Sequence, residues 1–171
     1  MDELKQLIRH VPDFPKKGIL FYDITTLLRD KGGFRKSVTA LADPHQDDRI
    51  DVVVGIESRG FILGAAVADR LGAGFVPVRK PGKLPGETVS ESYKLEYGSD
   101  ALEIHDGAIE DGQRVLIVDD LLATGGTARA TKDLIGKAGS AVVGFAFLIE
   151  LAELKGRDKL GTTPIFTALT Y

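Results

Sequence analysis

The chain has 171 residues, of which 43% are hydrophobic, so it can bury the core of one domain. It carries 22 Lys and Arg against 25 Asp and Glu, and this net charge of −3 gives no sign of general affinity for nucleic acid. Because the chain has no cysteine, disulfides, thiolate zinc sites and cysteine nucleophiles are excluded. The first residues lack the pattern of a signal peptide and the longest apolar run is too short for a bilayer, so we expect a cytoplasmic protein.

The N-terminal segment predicts short elements at an edge of the fold. An amphipathic helix is predicted over 3–10, since leucine and isoleucine recur on one face and Pro12 follows. A strand is predicted over 19–22 and another helix over about 34–41.

A buried strand is predicted over 51–56, where β-branched residues run together as they do in parallel sheets. A polar turn over 57–60 follows, and then an alanine-rich helix over 61–71. Arg59 therefore stands at the carboxyl end of a strand, which is where ligands bind in open α/β sheets. Its planar guanidinium matches phosphate oxygens, so Arg59 is a candidate anion-binding residue. An ordinary surface arginine is the alternative interpretation.

A basic segment follows the next predicted strand, 75–78. Residues 79–86 contain three cations among two prolines and two glycines, a composition that predicts irregular structure. The polar stretch continues to residue 98 with few apolar anchors, and loops of about this length are typical of lids and binding loops. We interpret it as a lid that excludes water from a reaction, against the alternative of a solvated basic turn.

The pattern that organises the chain is VLIVDDLLATGGT, residues 115–127. Its first four residues predict a buried strand, and Asp119 and Asp120 stand at the carboxyl end of that strand. Two glycines, at 125 and 126, allow the backbone to approach a ligand closely. A helix predicted over 127–137 would direct its amides and the positive end of its dipole to the same place, which predicts a phosphate site.

Two carboxylates beside a phosphate site would repel the phosphate, so Asp119 and Asp120 must serve another group. Carboxylates accept hydrogen bonds from vicinal hydroxyls, and hydrated Mg²⁺ commonly lies between carboxylates and phosphate oxygens. The motif therefore predicts a site for a ribose 5-phosphate. The alternative, a strand followed by a polar turn, explains one aspartate and one glycine but explains the whole pattern poorly.

The remaining elements are predicted as strands over 102–104, 141–148 and 165–169, the last of them at a sheet edge. Three histidines, at 10, 45 and 105, lack the spacing of metal ligands, so we assign none of them to a metal.

Four motifs, which follow one another along the chain in the family's order, resemble type I phosphoribosyltransferases. Residues 115–127 resemble the family's signature for phosphoribosyl diphosphate (PRPP), and residues 58–60 resemble its pyrophosphate-binding loop. RKPGKLPG from Arg79 and SYKLEYG from Ser92 resemble the adenine phosphoribosyltransferases. The resemblance covers nearly the whole chain. It implies an α/β fold with a central, mostly parallel sheet flanked by helices.

In domain terms, the resemblance implies a single phosphoribosyltransferase domain. It consists of a small N-terminal hood over about 1–35, a core over about 36–171 with a closing helix near 150–157, and a flexible catalytic loop over about 80–100. The implied reaction converts adenine and PRPP to AMP and diphosphate with Mg²⁺, which would be bound through PRPP near the two aspartates. An arginine at position 79 would reach the diphosphate of a neighbouring subunit, which implies a homodimer.

The resemblance also implies a role for individual residues. The 5′-phosphate would be bound by Ala123, Thr124, Gly125, Gly126 and Thr127, and the ribose hydroxyls by Asp119 and Asp120. The diphosphate would be bound by Ser58, Arg59, Gly60, Arg79, Lys80 and Lys83. Adenine would be bound by Leu20, Phe21, Tyr22 and Leu121, and Arg59 and Glu96 would be catalytic. The chain departs from the family at Tyr22, a position that is often basic.

Three alternatives stay open at this point. A transferase for hypoxanthine, guanine or xanthine would share the PRPP motif and differ in its base pocket. A non-catalytic regulator could use the same fold to sense PRPP, although this chain has no spare length for a DNA-binding unit and no charge excess for an RNA-binding face. Glu96 could be a solvated loop residue, with Tyr93 and Tyr97 as its packing anchors.

Overall fold

The computed structural model describes residues 1–94 and 99–171. Its helices are α1 (Asp2–Gln6), α2 (Thr25–Arg29), α3 (Lys31–Ala42), α4 (Arg59–Leu71) and α5 (Gly126–Lys137), with 3₁₀ turns at Asp43–His45, Ala152–Leu154 and Gly156–Lys159. Its strands are β1 (Arg9–Pro12), β2 (Leu20–Asp23), β3 (Val52–Ile56), β4 (Gly74–Val78), β5 (Thr88–Lys94), β6 (Ser99–His105), β7 (Arg114–Leu122), β8 (Ala141–Glu150) and β9 (Ile165–Thr170).

The central sheet is parallel and has the strand order β4-β3-β7-β8-β9 within the described residues. Its middle strand, β7, is buried on both faces, which explains why its first half is a continuous apolar run. One face packs against α5 and the β6 side chains, and the other packs against α3, α4 and the N-terminal elements. The expectation of a mostly parallel sheet flanked by helices is confirmed.

The order of the strands determines where a ligand can bind. From β3 the chain crosses through α4 to β4, whereas from β7 it crosses through α5 to β8 on the other side. The two helices cover opposite faces of the sheet, so the loops after β3 and β7 separate at their shared edge. A crevice therefore opens at the carboxyl ends of β3 and β7, the usual ligand site of such sheets.

Two predicted helices differ from the structure. The N-terminal helix ends at Gln6 rather than residue 10, and Arg9–Pro12 instead pairs antiparallel with β2, where Arg9 forms an ion pair with Asp23. The closing helix over 150–157 is wrong. Strand β8 continues to Glu150, and two short 3₁₀ turns follow it. Lys155, between the two turns, has a left-handed backbone (φ 51°), and a residue in that conformation cannot continue a right-handed helix.

The polar stretch over 79–98 is less irregular than predicted. Thr88–Lys94 pairs antiparallel with Ser99–His105, so a β-hairpin replaces much of the expected loop. Its apolar side chains, which include Leu102 and Ile104, pack on the same face of the sheet as α5. Arg79 forms an isolated antiparallel bridge with Glu103, and irregular backbone covers residues 80–87. Glu96 and Tyr97 lie outside the described residues.

In the part of the chain that the structure describes, no helix combines the length and apolar character needed to cross a bilayer.

Candidate active site

Two loops meet at the crevice between β3 and β7. The first, residues 57–60, follows β3, and we call it the diphosphate loop after the role predicted for it. The second, residues 123–127, comprises the turn after β7 and the first two residues of α5, and we call it the phosphate loop after its predicted role. A cavity of about 340 Å³ is lined by Ile56, Glu57, Ser58, Arg59, Asp119, Asp120, Leu121 and Thr127. A smaller cavity of about 90 Å³ is lined by Asp119, Leu121, Leu122, Ala123, Thr124, Gly125, Gly126, Thr127, Ala128 and Phe147. The two cavities share three lining residues, so the predicted phosphate and ribose residues, together with Ser58 and Arg59, surround one site.

Asp119 and Asp120 lie within the last residues of β7 rather than just beyond it. Successive strand residues point to opposite faces, so the two carboxylates have different partners. Asp120 is buried, and its Oδ2 lies 2.6 Å from Nε of Arg59. Asp119 Oδ1 accepts a hydrogen bond from the Asp120 amide at 2.9 Å and packs directly against Gly60. A Cβ at Gly60 would lie 2.6 Å from that oxygen, so the glycine is needed to accommodate the Asp119 carboxylate.

The two neighbouring carboxylates are electrostatically unfavourable without a ligand. Burial raises the pKa of Asp119 well above its usual range, and the charge of Asp120 raises it further, while the Asp120 amide and Arg59 oppose the shift. An ionised Asp119 is therefore stabilised by any ligand that donates hydrogen bonds or positive charge to it. Ribose hydroxyls and a hydrated cation both meet that description.

Arg59 links the central sheet to the N-terminal strand β2. It is the first residue of α4, follows the cis peptide bond between Glu57 and Ser58, and forms the ion pair with Asp120. Its guanidinium carbon also lies 5.0 Å from the centre of the Phe21 ring. One cation therefore contacts both an acid of the PRPP motif and a residue of the predicted base-binding segment.

The predicted diphosphate cations Arg79, Lys80 and Lys83 are paired with carboxylates. Glu57 Oε2 lies 3.2 Å from Nε of Arg79 and accepts from the Lys80 amide at 3.0 Å, and its Oε1 lies 2.6 Å from Nζ of Lys83. The Lys80 side chain pairs instead with Asp100 at 2.8 Å. The hydrogen bond from Lys83, with those from Lys80 and Arg79, lowers the pKa of Glu57 to about 2 against the effect of burial.

Glu57 is a site residue that sequence reasoning missed. It lines the larger cavity and gathers two of the predicted diphosphate cations beside it. An acid immediately before the Ser-Arg-Gly turn, with a basic segment after the adjacent strand, is the sequence signal that could have identified it.

The phosphate loop has the conformation that the sequence predicted. Gly125 has φ 76°, which favours glycine, and it is followed directly by the first residue of α5. Thr131 Oγ1 donates to the Thr127 carbonyl at 2.9 Å, and the Thr127 hydroxyl lies 3.5 Å from the Tyr93 hydroxyl of the hairpin. A Cβ at Gly126 would lie 3.6 Å from the Tyr93 ring, its nearest neighbour, so it would fit there in ordinary van der Waals contact.

Gly156 is a second residue that sequence reasoning missed. A Cβ there would collide with the Ala123 carbonyl oxygen, and a Cβ at Gly125 would collide with the Gly156 carbonyl oxygen. The backbone of the turn after β8 therefore packs directly against the backbone of the phosphate loop. The glycine in Lys-Gly-Arg was the available signal, but the predicted closing helix obscured it.

The predicted adenine-binding residues separate into two groups. Phe21 faces Arg59, and Leu121 lines both cavities. The Tyr22 ring lies on the other face of β2, where its centre is 5.1 Å from that of His10 and 4.4 Å from that of Tyr171. Leu20 is exposed at the tip of the hood. The structure thus brings Phe21 and Leu121 to the site but not the side chain of Tyr22.

The acidic pair fits a metal ion that is held mainly by other ligands. Among the described residues, no group of three or more acidic or histidine side chains is placed to bind a metal. Mg²⁺ commonly takes only one or two carboxylates and completes its shell with water and substrate phosphates. Asp120 Oδ2 is buried and has no aligned hydrogen-bond donor, despite its ion pair with Arg59, so the pair can accept a further positive partner.

Comparison with known proteins gives one consistent result. The family model described as the phosphoribosyl transferase domain matches residues 24–167. The chain is 59% identical over 170 residues to the adenine phosphoribosyltransferase of Acidobacterium capsulatum, covering 99% of this chain and 94% of that protein.

Solved structures agree with the sequence matches. The crystal structure of adenine phosphoribosyltransferase from Rhodothermus marinus is 57% identical, with a TM-score of 0.96 over 99% of this chain and 97% of that chain. The Saccharomyces cerevisiae adenine phosphoribosyltransferase, solved with adenine and D-2,5-dideoxy-2,5-imino-altritol 1,6-bisphosphate, is 46% identical with a TM-score of 0.92 over 98% and 97% of the two chains. The chain therefore belongs to the phosphoribosyl transferase family and, within it, to the adenine phosphoribosyltransferases.

Proposed function

We propose the following division of roles in the reaction that this chain catalyses, the conversion of adenine and PRPP to AMP and diphosphate. The observation that carries the proposal is the meeting of the acidic pair, the phosphate loop and Arg59 in one crevice. Each of these features suits one part of PRPP, and the acidic pair adjoins the other two, because Asp119 lines both cavities and Asp120 pairs with Arg59.

The 5′-phosphate binds in the smaller cavity, to the backbone amides of residues 123–127 and the hydroxyl of Thr127. The positive end of the α5 dipole faces this cavity and favours the anion. Asp119 and Asp120 accept hydrogen bonds from the ribose hydroxyls. Binding energy from a phosphate that does not react thereby fixes the position of the anomeric carbon that does.

The leaving diphosphate gathers negative charge, which Arg59, Ser58 and the Gly60 backbone stabilise at the end of β3. Arg79, Lys80 and Lys83 add positive charge when they exchange Glu57 and Asp100 for diphosphate oxygens. The carboxylates below the ribose stabilise its oxocarbenium character as the bond breaks. Mg²⁺, held beside Asp119 and Asp120 by PRPP oxygens, would supply further positive charge to the diphosphate.

Adenine lies between Phe21 and Leu121, with backbone groups of residues 20–22 at its polar edge. Glu96 is assigned a catalytic role toward the imidazole edge of the purine, where a carboxylate can share a proton and stabilise positive charge. The Saccharomyces cerevisiae relative, which was solved with adenine and a bisphosphate, supports adenine as the base. The proposal therefore assigns adenine to this pocket rather than hypoxanthine, guanine or xanthine.

The working form in this proposal is a cytoplasmic homodimer in which Arg79 reaches the diphosphate of the neighbouring subunit. PRPP is a highly charged anion that membranes retain, so an enzyme that consumes it works in the compartment that makes it.

Product formation with single bases tests the function. We expect AMP from adenine and PRPP with Mg²⁺, no turnover after chelation of the metal, and little product from hypoxanthine or guanine, because a pocket built for one base edge rejects another. Comparable turnover with guanine would contradict the base assignment. Tight PRPP binding without product from any base would support the regulator instead.

A further inference from the structure

The phosphate loop rests on a turn that lies outside both cavities. Gly156 starts the second 3₁₀ turn after β8. Its carbonyl oxygen leaves no room for a side chain at Gly125, and the carbonyl oxygen of Ala123 leaves no room for a side chain at Gly156. Gly156 is buried, and its φ lies outside the left-handed region. The contact between the two backbones, rather than the local conformation of Gly156, therefore requires glycine there.

The residue after Gly156 fastens this turn to the sheet. Arg157 Nε and Nη2 donate to the two carboxylate oxygens of Glu150 at 2.6 and 2.7 Å. Nη2 also donates to Thr167 Oγ1 at 3.1 Å, and Nη1 donates to the Ile165 carbonyl at 3.2 Å. A two-pronged pair of this kind fixes direction as well as distance, which a single lysine contact does not.

The carboxylate of this pair is itself rigidly placed. Glu150 is the last residue of β8 and lies in register with Leu122 of β7 and Thr170 of β9. Its side chain is buried and accepts a further hydrogen bond from Thr167 at 3.1 Å. The hydrogen bond from Arg157 lowers the pKa of Glu150, so the Glu150 carboxylate stays ionised at lower pH than an ordinary glutamate does. The end of β8 and two residues of β9 thus hold Arg157, and Arg157 holds Gly156 against the phosphate loop.

We propose that Glu150 and Arg157 are positioning residues for the PRPP 5′-phosphate, acting through the backbone contact between Gly156 and Gly125. The inference rests on the proposed binding of that phosphate at residues 123–127. Neither side chain lines either of the two cavities described above, so both act through the position of the loop amides. Those amides must converge on one point, and misplacement by about 1 Å weakens such an arrangement strongly.

Two substitutions test the pair and the contact separately. Arg157→Met removes the guanidinium while keeping much of the side-chain bulk. Gly156→Ala places a methyl group against the Ala123 carbonyl without the strain of a left-handed backbone. We expect each to weaken ribose 5-phosphate binding, measured by calorimetry, and to raise KM for PRPP, by about tenfold. We expect KM for adenine to stay within about twofold, because the base pocket is not touched.

Matched controls separate this effect from a general loss of stability. Arg70→Met breaks the exposed ion pair with Asp43 near the far end of α4. Gly136→Ala adds a methyl group in open space near the far end of α5. Both controls should leave the ribose 5-phosphate affinity and the PRPP KM unchanged. All variants are compared well below their melting temperatures.

The outcomes are distinguishable. If the parent forms AMP and both test variants keep parental PRPP KM and ribose 5-phosphate affinity, the positioning role is wrong while the proposed function stands. If the parent shows no PRPP-dependent turnover, the proposed function fails first. Equal loss of affinity for PRPP and adenine, or failure of both variants to fold, would assign the pair to overall stability and overturn the inference.

Discussion

At the scale of single residues, the ionised Asp119 carboxylate is electrostatically unfavourable in the free site, and a ligand that donates to it relieves this cost. Its carboxylate packs against Gly60, beside a second carboxylate, and burial raises its pKa. A group whose pKa is higher in the folded than in the unfolded state contributes stability that is fully present below pH about 4 and is lost as the pH rises through the raised value. Asp119 therefore costs the fold stability as the pH rises above about 4.

Asp119→Asn should separate stability from function. We expect the variant to melt at a higher temperature than the parent at pH 8, with the difference shrinking toward pH 4, because asparagine never carries the charge. We also expect kcat/KM for PRPP to fall about tenfold to a hundredfold, the effect of losing a charged acceptor. Thermal melts across this pH range and steady-state kinetics provide the measurements. A melting difference that does not change with pH would contradict the electrostatic account.

The two glycines of the phosphate loop should respond differently to substitution. At Gly126 a Cβ meets no close contact, so Gly126→Val should keep most of the stability while its side chain fills the space of the phosphate and abolishes PRPP binding. Gly125→Ala should destabilise the fold as well, by about 1 to 3 kcal/mol, since it combines a left-handed residue with a backbone collision.

Calorimetry with PRPP and chemical denaturation measure the two effects of these substitutions. Thr127→Val is the milder companion. It should weaken binding by about 1 kcal/mol through loss of one hydroxyl donor. Unchanged PRPP affinity in both Gly126→Val and Thr127→Val would place the phosphate elsewhere.

At the scale of elements, buried parallel strands were the easiest to predict and the β-hairpin the hardest. Strand β3 and the first half of β7 read as continuous apolar runs because both faces are covered. The strand Thr88–Lys94 has too few apolar residues to indicate regular structure by itself. It forms because the partner strand, with Leu102 and Ile104, packs beside α5, and that information lies in the tertiary contacts.

The same reason explains the closing helix that does not form. The closing helix that the resemblance implied near 150–157 is replaced by the last residues of β8 and by the turn whose Gly156 contacts the phosphate loop. No local propensity reports either constraint.

Glu96→Leu tests whether the segment joining β5 and β6 takes part in catalysis. We expect kcat to fall about a hundredfold, the rate equivalent of a few kcal/mol, while PRPP affinity stays nearly intact. The reason is that a carboxylate near the purine acts on the assembled complex rather than on PRPP alone. A kcat within about twofold of the parent, at matched folding and saturating substrates, would remove Glu96 from the catalytic residues.

At the scale of the whole molecule, the sequence predicted which residues meet better than it predicted how they pair. Parallel strands put their carboxyl ends at one edge, so Asp119, Asp120 and Arg59 were expected to be neighbours, and the structure brings them together. The pairing of Arg79 and Lys83 with Glu57 was not foreseen. It depends on how the segment after β4 folds back over the end of β3, which no spacing in the sequence reports.

The dimer proposal makes a complementation prediction. If Arg79 serves the neighbouring subunit, a mixed dimer of Arg79→Ala and Gly126→Val chains has one site with both defects and one site with neither. Reassociated mixtures should then recover about a quarter of the parental activity, because half of the dimers are mixed and each holds one intact site. Activity no higher than that of the separate variants would assign Arg79 to its own subunit.

The central claim is that PRPP lies along the carboxyl edge of β3 and β7, and a crystal structure with PRPP and Mg²⁺ tests it most directly. We expect the 5′-phosphate within hydrogen-bond distance of the amides of residues 123–127, ribose hydroxyls at Asp119 and Asp120, and the diphosphate beside Arg59. Electron density for the 5′-phosphate outside the phosphate loop, or for a ribose that contacts neither aspartate, would contradict the account.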